Sequence, residues 1–219
     1  MPENRKIAVL VSGGLDSSIL IHQLLKNYKF VQPIYVQSGH VWERAELYWL
    51  RRYLKTIRAP HLKPLASLSL PTQDIYQTHW SLTGRKVPGA KSRDRKVYLP
   101  GKNIFLIAKA SVFCALKKIP HLALGPLKTN PFPDASLEFF KLMERACSKG
   151  LNYKLKIHAP FLRLSKKNVM KLGARLPLEL TFSCLSPKRR LHCGKCNKCT
   201  ERKKAFRKVQ LMDRTRYAC

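Results

Sequence analysis

A glycine–serine turn between an apolar strand and a helix constrains the fold of this chain more than any other feature. Residues 6–11 read KIAVLV, a continuous apolar run typical of the buried centre of a parallel sheet. Residues 12–18 follow directly as SGGLDSS, and helical apolar spacing begins beyond them. Paired glycines permit a tight turn that approaches a ligand closely, and a helix N-terminus favours an anion. The segment therefore predicts a phosphate-binding loop at the carboxyl end of a central strand.

The loop has the form SGGxDS, which is neither the Walker A pattern nor the G-x-G-x-x-G pattern. It resembles the signature of the ATP pyrophosphatase (PP-loop) superfamily, whose members bind ATP, release pyrophosphate and leave AMP on a substrate oxygen. The ATP-binding residues expected here are Ser12, Gly13, Gly14, Leu15, Asp16, Ser17 and Ser18. The Asp16 carboxylate suits Mg²⁺ and is a candidate catalytic group, whereas a polar turn capped by Asp16 is the alternative.

Strand-like and helical patterns alternate along the rest of the chain. Apolar runs cover residues 6–11, 30–37, 62–70, 121–125 and 153–159, and helical spacing covers residues 16–28, 42–58, 103–118, 134–148 and 165–173. This alternation predicts an α/β fold with a doubly wound, mostly parallel sheet. Ser165 and Asp134 are candidate N-caps of the helices that they begin, and Asn103 is expected to cap the long helix.

The chain divides into an α/β domain over residues 1–176 and a C-terminal segment over residues 177–219 that packs on it. Residues 84–99 form a basic loop containing Gly84, Pro88 and Gly89, which we interpret as a mobile lid.

Four cysteines lie close together in the C-terminal segment. Cys184, Cys193, Cys196 and Cys199 give the spacing C-x8-C-x2-C-x2-C, in which each C-x2-C pair turns two thiolates towards one cation. Zn²⁺ takes four sulfurs tetrahedrally, so the pattern predicts a structural zinc site in a reducing compartment. Two alternatives are His192 in place of one sulfur and an iron–sulfur cluster.

The charge of the chain is unusually positive. Lysine and arginine number 43 against 12 aspartate and glutamate residues, a formal net charge of +31. Residues 85–96 and 188–208 concentrate the basic side chains. Such a field predicts non-specific nucleic-acid affinity, whereas a solvated face or a host-wide compositional bias is the alternative.

No apolar run is long enough to cross a bilayer. The first residues lead directly into a strand rather than into a signal peptide. We therefore expect a cytoplasmic protein with no membrane partner.

The combination of the two motifs resembles the 7-cyano-7-deazaguanine synthase family of the queuosine pathway. Further segments carry the resemblance from about Lys6 to Phe206: they read YVQSGHVWE at residues 35–43, PGKN at 100–103, PFPD at 131–134 and LTFSC at 180–184. The resemblance implies an adenine nucleotide alpha hydrolase-like fold with a C-terminal zinc-binding segment. It also implies an ATP-dependent ligase that adenylates 7-carboxy-7-deazaguanine and couples it to ammonia. Family members are commonly homodimers, which gives an expectation of a dimer.

The resemblance also assigns roles to residues outside the phosphate loop. Val36, Gln37, Ser38 and Gly39 are expected to line the adenine or ribose of ATP. Lys102 is a candidate catalytic group at the α-phosphate, with a solvated lysine at the helix start as the alternative. The expected substrate-binding residues are Gly101, Asn103, Gly125, Pro133 and Asp134. A carboxylate at Asp134 presents two acceptors to the paired N–H donors of a guanine-like edge.

One segment departs from the family pattern. The family's substrate loop usually reads roughly D-x-S-G-Y-P-D-C-R, whereas residues 128–136 here read KTNPFPDAS. Only the Pro-Asp pair is retained, so a paralogue that acts on another carboxylate or amine acceptor is an alternative. A PP-loop enzyme that modifies tRNA is a second alternative, which the positive charge favours. A non-enzymatic nucleic-acid-binding zinc module is a third, but it leaves the phosphate loop unexplained.

Overall fold

The computed structural model describes residues 5–218 and contains a five-stranded sheet in which each neighbouring pair is parallel. Its strands are β1 (Lys6–Leu10), β2 (Phe30–Gln37), β3 (Ala66–Ser69), β4 (His121–Ala123) and β5 (Lys156–His158). Their order across the sheet is β3-β2-β1-β4-β5. The chain winds outward from β1 to β3 and then crosses to β4, so the order reverses between β1 and β4. This confirms the predicted doubly wound sheet and places a ligand crevice at that reversal.

Helices cover both faces of the sheet. They are α1 (Leu15–Leu25), α2 (Glu43–Thr56), α3 (Gln73–Tyr76), α4 (Trp80–Thr83), α5 (Lys102–Leu116), α6 (Leu137–Gly150), α7 (Lys166–Leu172) and α8 (Asn197–Lys208). Alternate residues of β1 point to opposite faces: Ile7 and Val9 pack with α1, α7 and α8, whereas Ala8 and Leu10 pack with α5 and α6. Within residues 5–218, no helix combines the length and apolar character that crossing a membrane requires.

A third apolar cluster joins the cysteine segment to the sheet domain. Phe182 and the four cysteines of the segment are buried together with Trp42, Val97 and Leu99. Arg202 of α8 is 1% exposed and donates hydrogen bonds to Thr215 Oγ1, Thr181 Oγ1 and Leu178 O, at 2.8, 2.7 and 2.6 Å. The C-terminal segment is therefore held to the rest of the chain by apolar packing, while each nitrogen of the buried Arg202 guanidinium donates a hydrogen bond that ties parts of the segment to one another.

Helix capping differs from the sequence prediction at two positions. Ser165 caps α7 as predicted, because its side chain accepts a hydrogen bond from Asn168 N. Asp134 does not begin α6, whose N-cap is Ser136. Asp134 Oδ2 instead accepts from Asn103 N at 3.0 Å, so this carboxylate satisfies a free amide in the first turn of α5. Asn103 lies inside α5, whose N-cap is Gly101, and is therefore not a cap.

The basic loop over residues 84–99 packs against the cysteine segment. Asn197 N donates to Pro88 O at 2.9 Å, and Asn197 Nδ2 donates to Ser92 O at 2.9 Å. A short 3-10 helix spans Asp94–Val97, and Val97 and Leu99 are buried beside the cysteines. The loop is thus held at both ends of its basic stretch.

The close packing of Gly173 against α1 gives a prediction about stability. A Cβ atom at Gly173 lies 2.5 Å from Ile19 Cγ1, and Ile19 is wholly buried, so Gly173→Ala forces the core apart. We expect a loss of about 1–3 kcal/mol in the free energy of unfolding, measured by denaturant titration. Gly150→Ala is the matched control, because a Cβ there meets nothing within 4 Å. The control should be neutral or stabilising by up to about 1 kcal/mol, and equal losses in both variants would contradict this packing argument.

Candidate functional site

A cavity of about 390 Å³ opens at the carboxyl ends of β1, β2 and β4. Its size falls within the range of small-molecule sites. The cavity is lined by the loop after β1, the end of β2 with the residues that follow it, α2, Trp80, residues 97–103, residues 124–134, residues 182–185 and parts of α7 and α8. The cavity therefore lies where the strand order reverses, as ligand sites do in doubly wound sheets.

The loop after β1 is shaped by backbone constraints. Gly13 has a φ of 78°, and a Cβ there approaches Leu50 Cβ at 3.2 Å. Its carbonyl accepts a hydrogen bond from Phe182 N at 2.7 Å, which fixes the loop to the C-terminal segment. Gly14 is the N-cap of α1 and offers no side chain to the first-turn amides. An anion in the cavity is therefore the natural partner for those amides.

The structure brings most of the predicted loop residues to the cavity. Its lining includes Ser12, Gly14, Leu15, Asp16 and Ser17. The hydroxyls of Ser12 and Ser17 lie 3.4 Å apart and face the same space. Gly13 turns towards α2, and Ser18 is fully buried with no recorded partner for its hydroxyl, so neither residue lines the cavity.

An ion-pair row that the sequence did not predict runs across the cavity floor. Lys166 Nζ lies 2.7 and 2.9 Å from the two carboxylate oxygens of Asp16 and 3.7 Å from Glu201 Oε1. Glu201 Oε2 in turn accepts from Lys198 Nζ at 2.7 Å. Every ion pair recorded within residues 5–218 belongs to this row. The residues around Lys166 do not indicate that it belongs to a site, because its partner Asp16 lies 150 residues away in the sequence.

The end of β2 contributes part of its predicted set. Val36 and Ser38 line the cavity, whereas Gln37 and Gly39 do not. Gln37 Nε2 donates to Ser67 Oγ on β3 at 3.0 Å. The Glu43 carboxylate accepts from Ser38 N at 2.6 Å and from Gly39 N at 3.0 Å, which fixes the turn. Gly39 has a φ of 88°, and a side chain there collides with Gln73, so this turn requires glycine.

Two titratable groups that the sequence did not single out also face the cavity. Glu46 Oε2 accepts from Tyr35 Oη at 2.7 Å, and burial raises the pKa of Glu46 to about 8. His40 is stacked on Trp42 with ring centroids 4.7 Å apart, and burial lowers the pKa of His40 to about 3. Both groups are therefore neutral at pH 7, and with Trp42 and Trp80 they form a largely uncharged wall. Glu46 occupies a helical position in the apolar pattern of α2, which gave it no functional signal.

A second part of the lining carries the predicted substrate residues and meets the first where Lys102 approaches Trp42. Lys102, Asn103, Gly125 and Asp134 line the cavity, whereas Gly101 and Pro133 lie outside it. Asp134 is 5% exposed and Asn103 Nδ2 donates to its carbonyl at 2.8 Å, so the pair is locked together.

Two aromatic contacts complete this wall. Phe132 stacks on Tyr98 with ring centroids 4.9 Å apart, and Lys102 Nζ lies 5.9 Å from the Trp42 ring. A planar ligand therefore meets an ammonium, a carboxylate and aromatic rings here.

The four cysteines converge as the spacing predicted. Their sulfurs all lie within 4.8 Å of one another, with 3.9 Å between Cys184 and Cys196 and 4.0 Å between Cys193 and Cys199. A tetrahedron of sulfurs about 2.3 Å from a zinc ion has edges of about 3.8 Å, so the donor set fits zinc. Backbone amides of Leu185 and Cys193 donate to Cys196 and Cys184, and hydrogen bonds from Cys184 and Cys199 lower the pKa of Cys196.

His192 does not belong to this group. Its Nε2 accepts a hydrogen bond from Ser183 N at 3.2 Å, and burial lowers the pKa of His192 to about 3. The ring is therefore neutral, and its Nε2 is occupied by a backbone amide. The candidate metal ligands are the four cysteine sulfurs.

Comparison with known proteins extends these observations. The family model described as queuosine biosynthesis protein QueC matches residues 6–210. A 7-cyano-7-deazaguanine synthase of Leptospira interrogans is 30% identical over 226 residues, which cover 96% of this chain and 90% of that protein. A synthase of the same name from Methanocaldococcus jannaschii is 26% identical over 234 residues, which cover 97% and 99%. Among solved structures, a predicted subunit of a tRNA methyltransferase from that organism gives a TM-score of 0.49 at 16% identity and covers 78% of this chain and 76% of that one.

The family match spans both the phosphate loop and the cysteine segment, and the relatives align over nearly their whole lengths. The resemblance inferred from the motifs is thereby confirmed. The chain belongs to the family of the queuosine biosynthesis protein QueC, a family of synthases.

Proposed function

We propose that this protein uses ATP to adenylate the carboxylate of 7-carboxy-7-deazaguanine and couples it to ammonia, giving 7-cyano-7-deazaguanine. The observation that carries the proposal is one cavity that joins a phosphate loop to a wall bearing Lys102 and Asp134. The name of the relatives, 7-cyano-7-deazaguanine synthase, supports the choice of product. The need for reduced cysteines supports a cytoplasmic location.

ATP binds, in this proposal, with its phosphates against the loop after β1. The free amides of α1 and the hydroxyls of Ser12 and Ser17 donate to phosphate oxygens. Asp16 offers a carboxylate for Mg²⁺, and a bound Mg²⁺ supplies charge neutralisation for the pyrophosphate that departs. Lys166, once separated from Asp16, carries a positive charge to the same phosphates. The adenosine lies towards Val36 and Ser38 and the uncharged wall.

The chemistry follows from the poor reactivity of a carboxylate. A carboxylate oxygen attacks the α-phosphorus of ATP, the bond to the β-phosphate oxygen breaks, and pyrophosphate leaves. Ammonia then attacks the acyl carbon, AMP leaves with the carboxyl oxygen, and a proton is released to give the amide. A second ATP activates the amide oxygen in the same way, and loss of AMP and protons leaves the nitrile. Lys102 stabilises the charge that develops at the α-phosphate, and Asp134 accepts N–H groups of the deazaguanine edge.

The departure at residues 128–136 gives a second candidate substrate. Where the family pattern has Cys-Arg, Ala135 is 3% exposed and the Ser136 hydroxyl accepts from Phe139 N to cap α6. Neither side chain lines the cavity. A paralogue that adenylates another carboxylate fits this loop, and the assay below separates the two substrates.

The assay measures pyrophosphate release from ATP with 7-carboxy-7-deazaguanine and ammonium, with mass spectrometry of the product. We expect pyrophosphate and a nitrile from the wild type and a loss of at least about 100-fold in Asp16→Asn, because that change weakens the Mg²⁺ site. Asp16→Asn should keep its far-ultraviolet circular dichroism. Full activity in this variant contradicts the role of the loop, and turnover only with other carboxylates or with tRNA identifies a different substrate.

Lys166 gives a sharper test of the phosphate site. Lys166→Met should raise the Kd for ATP, measured by calorimetry with Mg²⁺, by about 10-fold or more, because one charge at the phosphates is lost. Binding of adenosine should change by less than about twofold, since adenosine lacks the phosphates that Lys166 contacts. Lys167→Met is the matched control, because Lys167 is the exposed neighbour on the same helix. Equal effects in the two variants would remove Lys166 from the site.

The cysteine cluster predicts one zinc ion per chain. We expect one equivalent of zinc by elemental analysis and a thiolate-to-cobalt charge-transfer band after exchange with Co²⁺. Cys196→Ser should lose most of the metal and lower the midpoint of thermal unfolding, because the buried sulfurs lose their common ligand. Cys147→Ser is the control, since Cys147 lies on α6 outside the cluster, and it should keep its zinc. Iron with visible sulfide absorption, or no metal in the wild type, would overturn the assignment.

A further inference from the structure

Three basic segments that are distant in the sequence meet around the cysteine core. The first is residues 85–96, the second is residues 188–195, and the third is the outer side of α2 at Arg52. The exposed basic side chains of these segments are Arg85, Lys86, Lys91, Arg93, Arg95, Lys96, Lys188, Arg189, Arg190, Lys195 and Arg52. We call this set the basic face.

Specific contacts bring the three segments together. Asn197 holds residues 88–92 through its backbone and side-chain amides, and Gly89 forms an isolated bridge with Cys196. Trp49 Nε1 of α2 donates to Arg190 O at 2.6 Å. The Arg190 guanidinium lies 4.4 Å from the centroid of the Tyr48 ring. The two basic stretches of the sequence, about a hundred residues apart, are therefore parts of one surface.

The charge of the basic face is not neutralised within the chain. The ion pairs recorded for residues 5–218 all involve Lys166 or Lys198, and neither lysine belongs to the face. Asp94 is the only carboxylate within residues 85–96 and 188–195, and it lies near Asn197 Nδ2 at 3.4 Å. The face therefore presents a concentrated positive potential to solvent.

Shape and aromatic content add to the charge. A shallow depression in the face is lined by Gly89, Ala90, Lys91, Ser92, Arg93 and Lys96. At Arg190, Tyr48 and Trp49 meet edge to face at 5.4 Å, and the Arg52 guanidinium lies 5.6 Å from the Tyr48 ring and 5.7 Å from the Trp49 ring. Stacked arginine and aromatic planes next to free cations suit a ligand with both phosphates and flat bases.

An anionic membrane fits this surface less well. Membrane binding gains much of its strength from large apolar side chains that insert among the charges. The large apolar side chains that are exposed within residues 5–218 all lie outside the segments of the basic face, at Val41, Ile75, Ile104, Val112, Leu116, Leu137, Leu142, Leu172 and Met212. The segments of the face therefore offer charge and half-buried rings but no exposed large aliphatic side chain for insertion.

We propose that the basic face binds a single-stranded nucleic acid, with phosphates along Lys91, Arg93 and Lys96 and with bases stacked at Tyr48 and Arg190. A basic stretch taken alone is more often a solvated surface. Here two stretches and an arginine–aromatic cluster are joined by specific contacts, and within residues 85–96 and 188–195 a single carboxylate, Asp94, stands among the cations. The proposal does not depend on the reaction in the cavity.

The test compares two variants of the full-length protein with equal net charge. Lys91→Gln, Arg93→Gln and Lys96→Gln are combined on the basic face, and Lys141→Gln, Arg145→Gln and Lys149→Gln are combined on the exposed side of α6. Binding to a fluorescein-labelled 20-nucleotide RNA strand is followed by anisotropy at several KCl concentrations. A single DNA strand of the same sequence tests whether binding depends on the sugar. The corresponding duplexes test whether binding depends on a single strand.

We expect the basic-face variant to bind RNA at least about 10-fold more weakly at 0.1 M KCl and to lose about 2 from the slope of log K against log salt, as the loss of three phosphate contacts implies. The α6 variant should stay within about twofold of wild type. Both should retain the wild-type unfolding midpoint. Equal weakening in both variants shows that net charge alone is sensed and overturns the proposal. Absence of wild-type binding, or tighter binding to duplex than to either strand, overturns it as well.

Discussion

The contact between the phosphate loop and the C-terminal third of the chain is the interaction on which the site depends. Gly13 O accepts from Phe182 N at 2.7 Å, and Asp16 holds the Lys166 ammonium at 2.7 Å. Neither contact uses the first amides of α1, so these donors stay free for an anion; the first contact anchors the loop, and the second pairs two side chains that line the cavity itself. The cavity exists because the chain returns to the loop after completing the sheet.

The chain has a net charge of +31, and its few carboxylates are used mainly for specific hydrogen bonds. Most of its acidic side chains accept specific hydrogen bonds rather than lying free on the surface. Those with recorded contacts are Asp16, Glu43, Glu46, Asp94, Asp134, Glu144, Glu201 and Asp213. Glu43 accepts from the backbone amides of Ser38 and Gly39, and Asp134 accepts from that of Asn103; loss of either side chain would leave these amides unpaired. The positive field therefore reflects a surface with few carboxylates, whereas the interior retains those that it needs.

The parts of the structure that depend on local pattern were predictable from the sequence. The alternation of apolar runs gave the parallel sheet, SGGxDS gave the loop between β1 and α1, and the cysteine spacing gave the convergent sulfurs. What could not be predicted depends on distant pairing. Lys166 reaches Asp16 across 150 residues, and Asp134 accepts from an amide of α5 rather than capping α6, because the segment before α6 folds across the start of α5. The role of Glu46 could not be predicted for a different reason. Apolar residues recur with the same spacing on a helix that borders a cavity as on one that borders a core, so the pattern of α2 does not reveal the cavity.

The cysteine segment has two sides: one is buried against the cavity, and the other is exposed to solvent and basic. Its inner side supplies Phe182, Cys184 and Leu185 to the cavity wall, where each side chain is buried and a change of volume alters the site. Its outer side carries Arg189 and Lys195, which are exposed and contribute charge without packing. The four sulfurs and Trp42 are buried in one apolar cluster with the residues of the inner side. One segment can therefore contribute both to the cavity and to the basic face, because the residues that line the cavity are not those that carry the charge of the face.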